Sequence, residues 1–260
     1  MTTFCFALKY FRYLLTSSGG HSIHSPFVYD LFANVINKKT DSSIFKSIKN
    51  IRNSMLASNE IIDCIDYGAS GSEGNNTKRK ISDIAKKSAK SQKYCALLFR
   101  LVDSFKPKTI LELGTSLGIS TLYQALPNYH PKVITIEGCE NTAAIARNNF
   151  KISGQKIDVI TGEFTRVLPQ ILKYIKNTDY VFFDGNHRYE PTISYFEQCL
   201  EKANDNSLFV FDDIHWSDEM ENAWKYIKNH EKVSISIDLF FMGLIFFRKG
   251  ITKQNFIIRF

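Results

Sequence analysis

Between Ile110 and Ser120 the chain reads Ile-Leu-Glu-Leu-Gly-Thr-Ser-Leu-Gly-Ile-Ser, and no other stretch constrains the fold as much. The apolar run before Gly114 reads as a buried strand, the glycine as a turn, and the residues after Gly118 as a helix start. A second apolar run, Lys132–Glu137, closes on a carboxylate 23 residues beyond Gly114. Strand, glycine turn, helix and acid-tipped strand form a βαβ unit whose carboxyl edge takes a nucleoside, the acid accepting from the ribose. From residue 107 the alternation continues with apolar runs at Thr109–Gly114, Ile157–Gly162, Asp179–Asp184 and Ser207–Asp213. Helical patterns such as Asn141–Ile152 and Pro191–Ala203 lie between them. Repeated βα units give a parallel sheet covered on both faces. Val233–Leu239 and Gly243–Arg248 are joined too closely for a helical crossover, so these last two runs predict an antiparallel hairpin.

Spacing narrows the ligand. A dinucleotide fingerprint sets three glycines where backbone approaches a pyrophosphate, but here Ser116 and Ile119 stand at the second and third places. A nucleoside cofactor without a pyrophosphate is expected, and S-adenosylmethionine fits. Gly114 and Gly118 supply the turn and the close approach. Ser120, in the first helical turn, can offer its hydroxyl to the cofactor's carboxylate. The competing reading is that both glycines only solve strand–helix packing.

Two further runs end in acid beside histidine: Phe182-Phe183-Asp184-Gly185-Asn186-His187, and Phe211-Asp212-Asp213-Ile214-His215-Trp216. Adjacent strands would carry Asp184, Asp212 and Asp213 to one sheet edge, where three carboxylates need a cation or a proton among them. An all-oxygen set suits Mg²⁺, Ca²⁺ or Mn²⁺. Without a metal, one aspartate caps a helix and another holds the cofactor amine. His187 and His215 flank the acids as candidate bases for an acceptor hydroxyl. His21 and His24 either reach over the site or merely precede a helix that Ser25-Pro26 starts and that runs through Phe32; the latter is favoured.

The remaining features bound the class. In 260 residues, 44% hydrophobic with 21 phenylalanines, there is material for a full core. Five cysteines (5, 64, 95, 139 and 199) show neither a C-x-x-C pair nor zinc spacing, which reads as reduced thiols of a cytoplasmic protein. No run of 18 uncharged apolar residues is present, so no membrane span is expected. Phe4, Leu8, Phe11 and Leu15 follow helical spacing, predicting an amphipathic helix that packs on its own domain or on a second copy. The net charge of +7 is concentrated in residues 1–100, at +8 against −1 for the rest, notably at Lys78-Arg79-Lys80. This is either a solvated face or a grip for an anionic partner. Asp66–Lys80, rich in Gly, Ser and Asn, reads as a loop, followed by helices at Ile81–Lys90 and Gln92–Phe105, with Pro107 ending the second.

At Leu111–Thr121, Ile134–Glu137, Phe182–Asp184 and Phe211–Asp213 the chain resembles class I S-adenosylmethionine-dependent methyltransferases, nearest the catechol and caffeoyl-CoA O-methyltransferase type. It is also similar to uncharacterised bacterial methyltransferases with an N-terminal His-Ser-Pro-Phe segment, here His24–Phe27. The resemblance implies a Rossmann-like, seven-stranded, mostly parallel α/β sheet of order 3-2-1-4-5-7-6. It also implies a methyltransferase domain over 81–260 and a helical N-terminal extension over 1–80. For the cofactor it implies Glu112, Gly114, Thr115, Ser116, Gly118, Ser120, Glu137, Gly138 and Asp184, with Gly162 and Glu163 near the adenine. For a divalent cation it implies Asp184 and Asp212, joined by Asp213 where the family usually has Asn. The family's catalytic lysine, three positions after the strand-4 acid, is His187 here, and Cys95-Ala96 replace a frequent Gly-Gln.

These readings favour an O-methyltransferase in which Asp184 binds, His187 or His215 takes the proton, and a small molecule is the acceptor. A methyltransferase gripping RNA or protein through the basic extension is the second expectation, although Asp-Gly-Asn-His is not the Asn/Asp-Pro-Pro-aromatic motif of base-amino methylation. A non-catalytic cofactor-binding module, oligomeric through the N-terminal helices, is the third. An NAD-dependent dehydrogenase comes last, on glycine spacing.

Overall fold

The computed structural model describes residues 3–20, 23–66, 75–87 and 90–260. The expectation at His21 and the middle of the Asp66–Lys80 loop lie outside the described residues. The chain divides into two compact bodies, Met1–Lys38 with Tyr174–Phe260, and Lys39–Lys173. The first body begins with α1 (Thr3–Thr16) and α2 (Pro26–Leu31), which runs on as a π-helical turn over 32–36. Ser25 caps α2 by accepting from the Val28 N–H, and Pro26 sits where a missing N–H costs nothing, so the Ser-Pro pair starts a helix as expected.

The second body contains α3 (Lys46–Ala57), β1 (Ile61–Asp66), β2 (Asn75–Lys80), α4 (Ile81–Lys87) and α5 (Gln92–Phe105). A three-stranded α/β unit follows: β3 (Thr109–Leu113), α6 (Ile119–Ala125), β4 (Lys132–Glu137), α7 (Glu140–Ser153), β5 (Ile157–Thr161) and α8 (Phe164–Tyr174). β4 lies between β3 and β5, all parallel. Helix α5 ends at Lys106, which takes left-handed backbone (φ 47°) just before Pro107. Cys95, Leu122, Tyr123, Ala146 and Phe150 pack with Phe45, Ile48 and Ile51 into one apolar cluster. Residues 75–80 correct the loop expectation. They form a strand antiparallel to β1, with Lys78 opposite Asp63 and Lys80 opposite Ile61. Pairing imposes the strand here, since Asn-Asn-Thr-Lys-Arg-Lys has little β preference of its own.

The first body resumes with β6 (Tyr180–Phe183), α9 (Tyr189–Leu200), β7 (Leu208–Asp212), α10 (Asp218–Asn229), β8 (Ile235–Asp238), β9 (Met242–Phe246) and β10 (Gln254–Ile257). Its strands run in the order β10-β8-β9-β7-β6. β6 and β7 are parallel, and β8 and β9 form the expected antiparallel hairpin. Every residue of β6 and β7 is buried, as both-faced cover requires, and Phe183 stacks on Phe211 at 4.3 Å. Each such phenylalanine contributes about 1.5–3 kcal/mol through burial. The two bodies hold eight described α/β-sheet strands instead of seven, because β10 adds in parallel to β8.

Helix α1 packs by a different face from the one its spacing suggests. Phe6 and Tyr13 each stand 5.3 Å from Phe240, Tyr10 stands 4.9 Å from it, and Lys9 pairs with Asp218 and Glu221. Tyr13 donates to the Ile258 carbonyl at 2.6 Å, and burial pushes its phenol up to about 12. Leu8, Phe11 and Leu15 remain exposed, at 53%, 60% and 72%. A helix apolar on nearly all sides does not reveal its buried face from spacing alone. Among the described residues no helix is long and apolar enough to cross a membrane.

Candidate active site

In the second body, β3 delivers the chain to Gly114 (φ 107°), whose N–H donates to the Ile136 carbonyl at the end of β4. Thr115 donates to the same carbonyl, and its hydroxyl lies 2.6 Å from that of Thr135. Ser116 adopts left-handed backbone (φ 48°), uncommon for a residue with a side chain, and its N–H donates to Glu137 Oε2 at 2.7 Å. The Cys139 N–H donates to Glu137 Oε1 at 3.1 Å. Both oxygens of the β4 acid are thus oriented by backbone N–H groups. The Gly162 N–H in turn holds the Glu137 carbonyl. Gly138 follows β4, and Gly162 and Glu163 follow β5.

Three of the expected cofactor residues are occupied differently. Glu112 is completely buried and accepts from Ser120 Oγ (3.0 Å), Gln124 Nε2 (2.8 Å), Thr135 Oγ1 (2.7 Å) and Thr121 Oγ1. Glu112 and Ser120 therefore brace β3 against α6 from inside, the Ser120 hydroxyl donating to the Glu112 carboxylate. Gly118, at φ 81°, is the N-cap of α6, and a Cβ there would run into the Phe150 ring. Its need for glycine comes from helix packing, the reading the sequence left open.

In the first body, the parallel register pairs Phe183 with Phe211, which brings the next residues, Asp184 and Asp212, to adjacent strand ends. Asp184, half-buried His187 and buried Asp212 each place one ligand atom within 4.8 Å of the others. Asn186, at φ 53°, turns the chain between the first two; its side chain donates to the Tyr195 hydroxyl and accepts from Arg188 Nε. Asp213 is not in this group, contrary to the metal expectation. The strand ends at Asp212, and Asp213 turns into left-handed backbone (φ 52°) with its N–H on the Phe241 carbonyl.

His215 does not suit the base expected of it. Its Nδ1 lies 2.9 Å from Glu221 Oε1, its Nε2 lies 2.8 Å from Asp238 Oδ2, and its ring stacks on Phe240. Burial alone would lower its pKa, but the hydrogen bonds and charges of Asp238 and Glu221 outweigh this and raise it. Both ring nitrogens of His215 already face carboxylates, which leaves neither directed at an acceptor hydroxyl. His24 is exposed beside α2. A cavity of about 590 Å³ lined by Tyr189, Asn222, Lys225, Tyr226, Asn229 and His230 opens on α9 and α10, and none of the expected site residues lines it.

Together these features define an α/β chain with a nucleoside-type glycine turn and an acid–histidine group at its strand ends. The fold is the Rossmann-like methyltransferase fold. Residues 111–214 match a family model described as a methyltransferase domain. Among particular relatives, the chain is 32% identical over 127 residues to the catechol O-methyltransferase of Niastella koreensis, covering 47% of this chain and 55% of that one. It spans from about a third to about half the length of the first curated relatives it matches. Among solved structures it is similar to the O-methyltransferase from Bacillus cereus in complex with SAH, with a TM-score of 0.56 and 18% identity, covering 84% of this chain and 97% of that one. It is also similar to the O-methyltransferase TomG from Streptomyces achromogenes, in complex with SAM, with a TM-score of 0.56 and 19% identity, covering 85% and 96%.

Proposed function

We propose that the chain is an S-adenosylmethionine-dependent O-methyltransferase acting on a small-molecule hydroxyl with the help of a divalent cation. The observation that carries this reading is Glu137, a strand-tip carboxylate oriented by the Ser116 and Cys139 N–H groups beside a glycine turn with no pyrophosphate loop. Glu137 holds the ribose hydroxyls, Gly114, Thr115 and Ser116 present backbone to the cofactor, and Gly138, Gly162 and Glu163 border the base. The bound sulfonium supplies an activated methyl group for in-line attack, so the protein's contribution is mainly positioning. Asp184 and Asp212 would hold a divalent cation that binds the acceptor oxygen and lowers its pKa, with His187 grouped beside them. The two carboxylates fit a divalent cation because they neutralise its charge. The relatives' names favour this reading: one is a catechol O-methyltransferase.

The N-terminal region serves acceptor binding or association. The exposed Leu8, Phe11 and Leu15 stripe on α1 favours a second copy of the chain as its partner. Exposed Lys78, Arg79 and Lys80 on β2 favour, as a second reading, an anionic macromolecular acceptor. Transfer of labelled methyl from S-adenosylmethionine to a panel of catechols, phenols and aliphatic alcohols, run beside RNA and protein acceptors, tests the assignment. Label on a small hydroxyl, lost in Asp212→Asn, is expected. Label only on RNA or protein, or on none, overturns it.

A further inference from the structure

We propose that His187 is itself a metal ligand, so that the site selects a borderline first-row cation (the Mn²⁺, Co²⁺ and Zn²⁺ class) over Mg²⁺ and Ca²⁺. This deepens the reading above and rests on it. The sequence suggested an oxygen-only trio of Asp184, Asp212 and Asp213. The structure instead groups two carboxylates with an imidazole, whose donor atoms all lie within 4.8 Å, and leaves Asp213 out. The Asp213 backbone is fixed in its turn, its N–H on the Phe241 carbonyl at 2.7 Å and its carbonyl accepting from the Trp216 N–H.

Chemistry then separates the cations. Mg²⁺ and Ca²⁺ are hard ions that take oxygen ligands, whereas imidazole nitrogen is a good donor to zinc and other later first-row metals. Affinity for a mixed N/O site rises from Mn²⁺ through Co²⁺ in the usual order. Three protein donors also leave coordination positions open, as catalytic sites require. The supports are rigid where they need to be. Asp212 is 3% exposed at the end of a fully buried strand and pairs in register with Met242. His187 follows the Asn186 turn, whose side chain is held by Tyr195 and Arg188. The other nearby imidazole, His215, is held by Asp238 and Glu221.

The test uses full-length protein stripped with chelator and titrated calorimetrically with Zn²⁺, Co²⁺, Mn²⁺, Mg²⁺ and Ca²⁺. The visible absorption of bound Co²⁺ is followed in parallel. Zn²⁺ and Co²⁺ are expected to bind at least about ten-fold more tightly than Mg²⁺. His187→Gln should weaken them by about 10–100-fold, judged by what even outer-shell changes cost at such sites, and should alter the Co²⁺ spectrum. Asp213→Asn should change neither. Unchanged Zn²⁺ affinity and Co²⁺ spectrum in His187→Gln, in a variant that melts like the parent, would overturn the proposal. Equal loss in Asp213→Asn, or preference for Mg²⁺, would do the same. Binding of S-adenosylmethionine to the stripped protein is measured alongside. Cofactor binding without nitrogen-dependent metal binding defeats only this inference, and metal binding as described without cofactor binding defeats only the methyltransferase reading.

Discussion

Glu112 and Glu137 stand at matching places in the sequence motif but hold opposite roles in the structure, so the same substitution should have crossed effects. Glu112→Gln converts one carboxylate oxygen into an amide that cannot accept. On the Oε1 side Ser120 and Gln124 donate, and on the Oε2 side Thr121 and Thr135 do. Hydroxyls can turn and accept, so the net loss is one to two hydrogen bonds to a charged group, each worth about 1.5–3 kcal/mol. With rearrangement, about 2–4 kcal/mol of folding stability is lost, a large share of the roughly 5–15 kcal/mol a domain holds. Glu137 is half-buried, so losing one of its two backbone partners costs folding about 1 kcal/mol or less after screening by water. Its charged oxygens are instead the acceptors for the ribose, and losing one such bond weakens cofactor binding by about ten-fold or more. Urea unfolding with the slope held common, together with calorimetric S-adenosylmethionine titration, reads both quantities. Glu112→Gln should move the unfolding midpoint and spare the affinity; Glu137→Gln should do the reverse. If Glu112→Gln weakens the cofactor as much as Glu137→Gln while leaving the midpoint in place, the bracing role is wrong.

Further outcomes follow from other contacts. His215 has a raised pKa in the folded protein, so its contribution is complete below the unfolded histidine value of about 6.5 and is lost as pH climbs through the folded value. Melting curves of the parent should therefore fall over that rise more than those of His215→Asn. Gly118→Ala places a Cβ in left-handed backbone against Phe150, costing about 1–2 kcal/mol for the backbone and about 1–3 for the overlap. Adding Phe150→Leu should return part of the overlap cost in urea unfolding and none of the backbone cost. Tyr13→Phe strands the Ile258 carbonyl that anchors α1, a loss of about 1–3 kcal/mol expected in the same assay.

The sheet was legible because its strands are short apolar runs between clear punctuation. Lys132–Glu137 and helix Gln92–Phe105 appear with the expected bounds, and the terminal hairpin follows from a link too short for anything else. β2 and β10 were not legible, since one is polar throughout and the other a four-residue edge strand with alternating burial. Asp212-Asp213 shows a limit of reading sites from sequence. The strand stops at Asp212, and the left-handed turn at Asp213 that takes the second acid out of strand alternation has no sequence signal. Likewise, nothing in Glu112-Leu113-Gly114 distinguishes an acid that faces inward from one that faces a ligand. The signal lay in the hydroxyls at Ser120, Thr121 and Thr135, which return to the same carboxylate.

The proposed nucleoside site takes S-adenosylmethionine and is unsuited to a dinucleotide. Calorimetric titration of the unmodified chain with S-adenosylmethionine and, separately, NAD⁺ tests it most directly. Saturable binding of the first, lost in Glu137→Ala, and no heat from the second are expected. Tight NAD⁺ binding, or no S-adenosylmethionine binding by a folded protein, would contradict it.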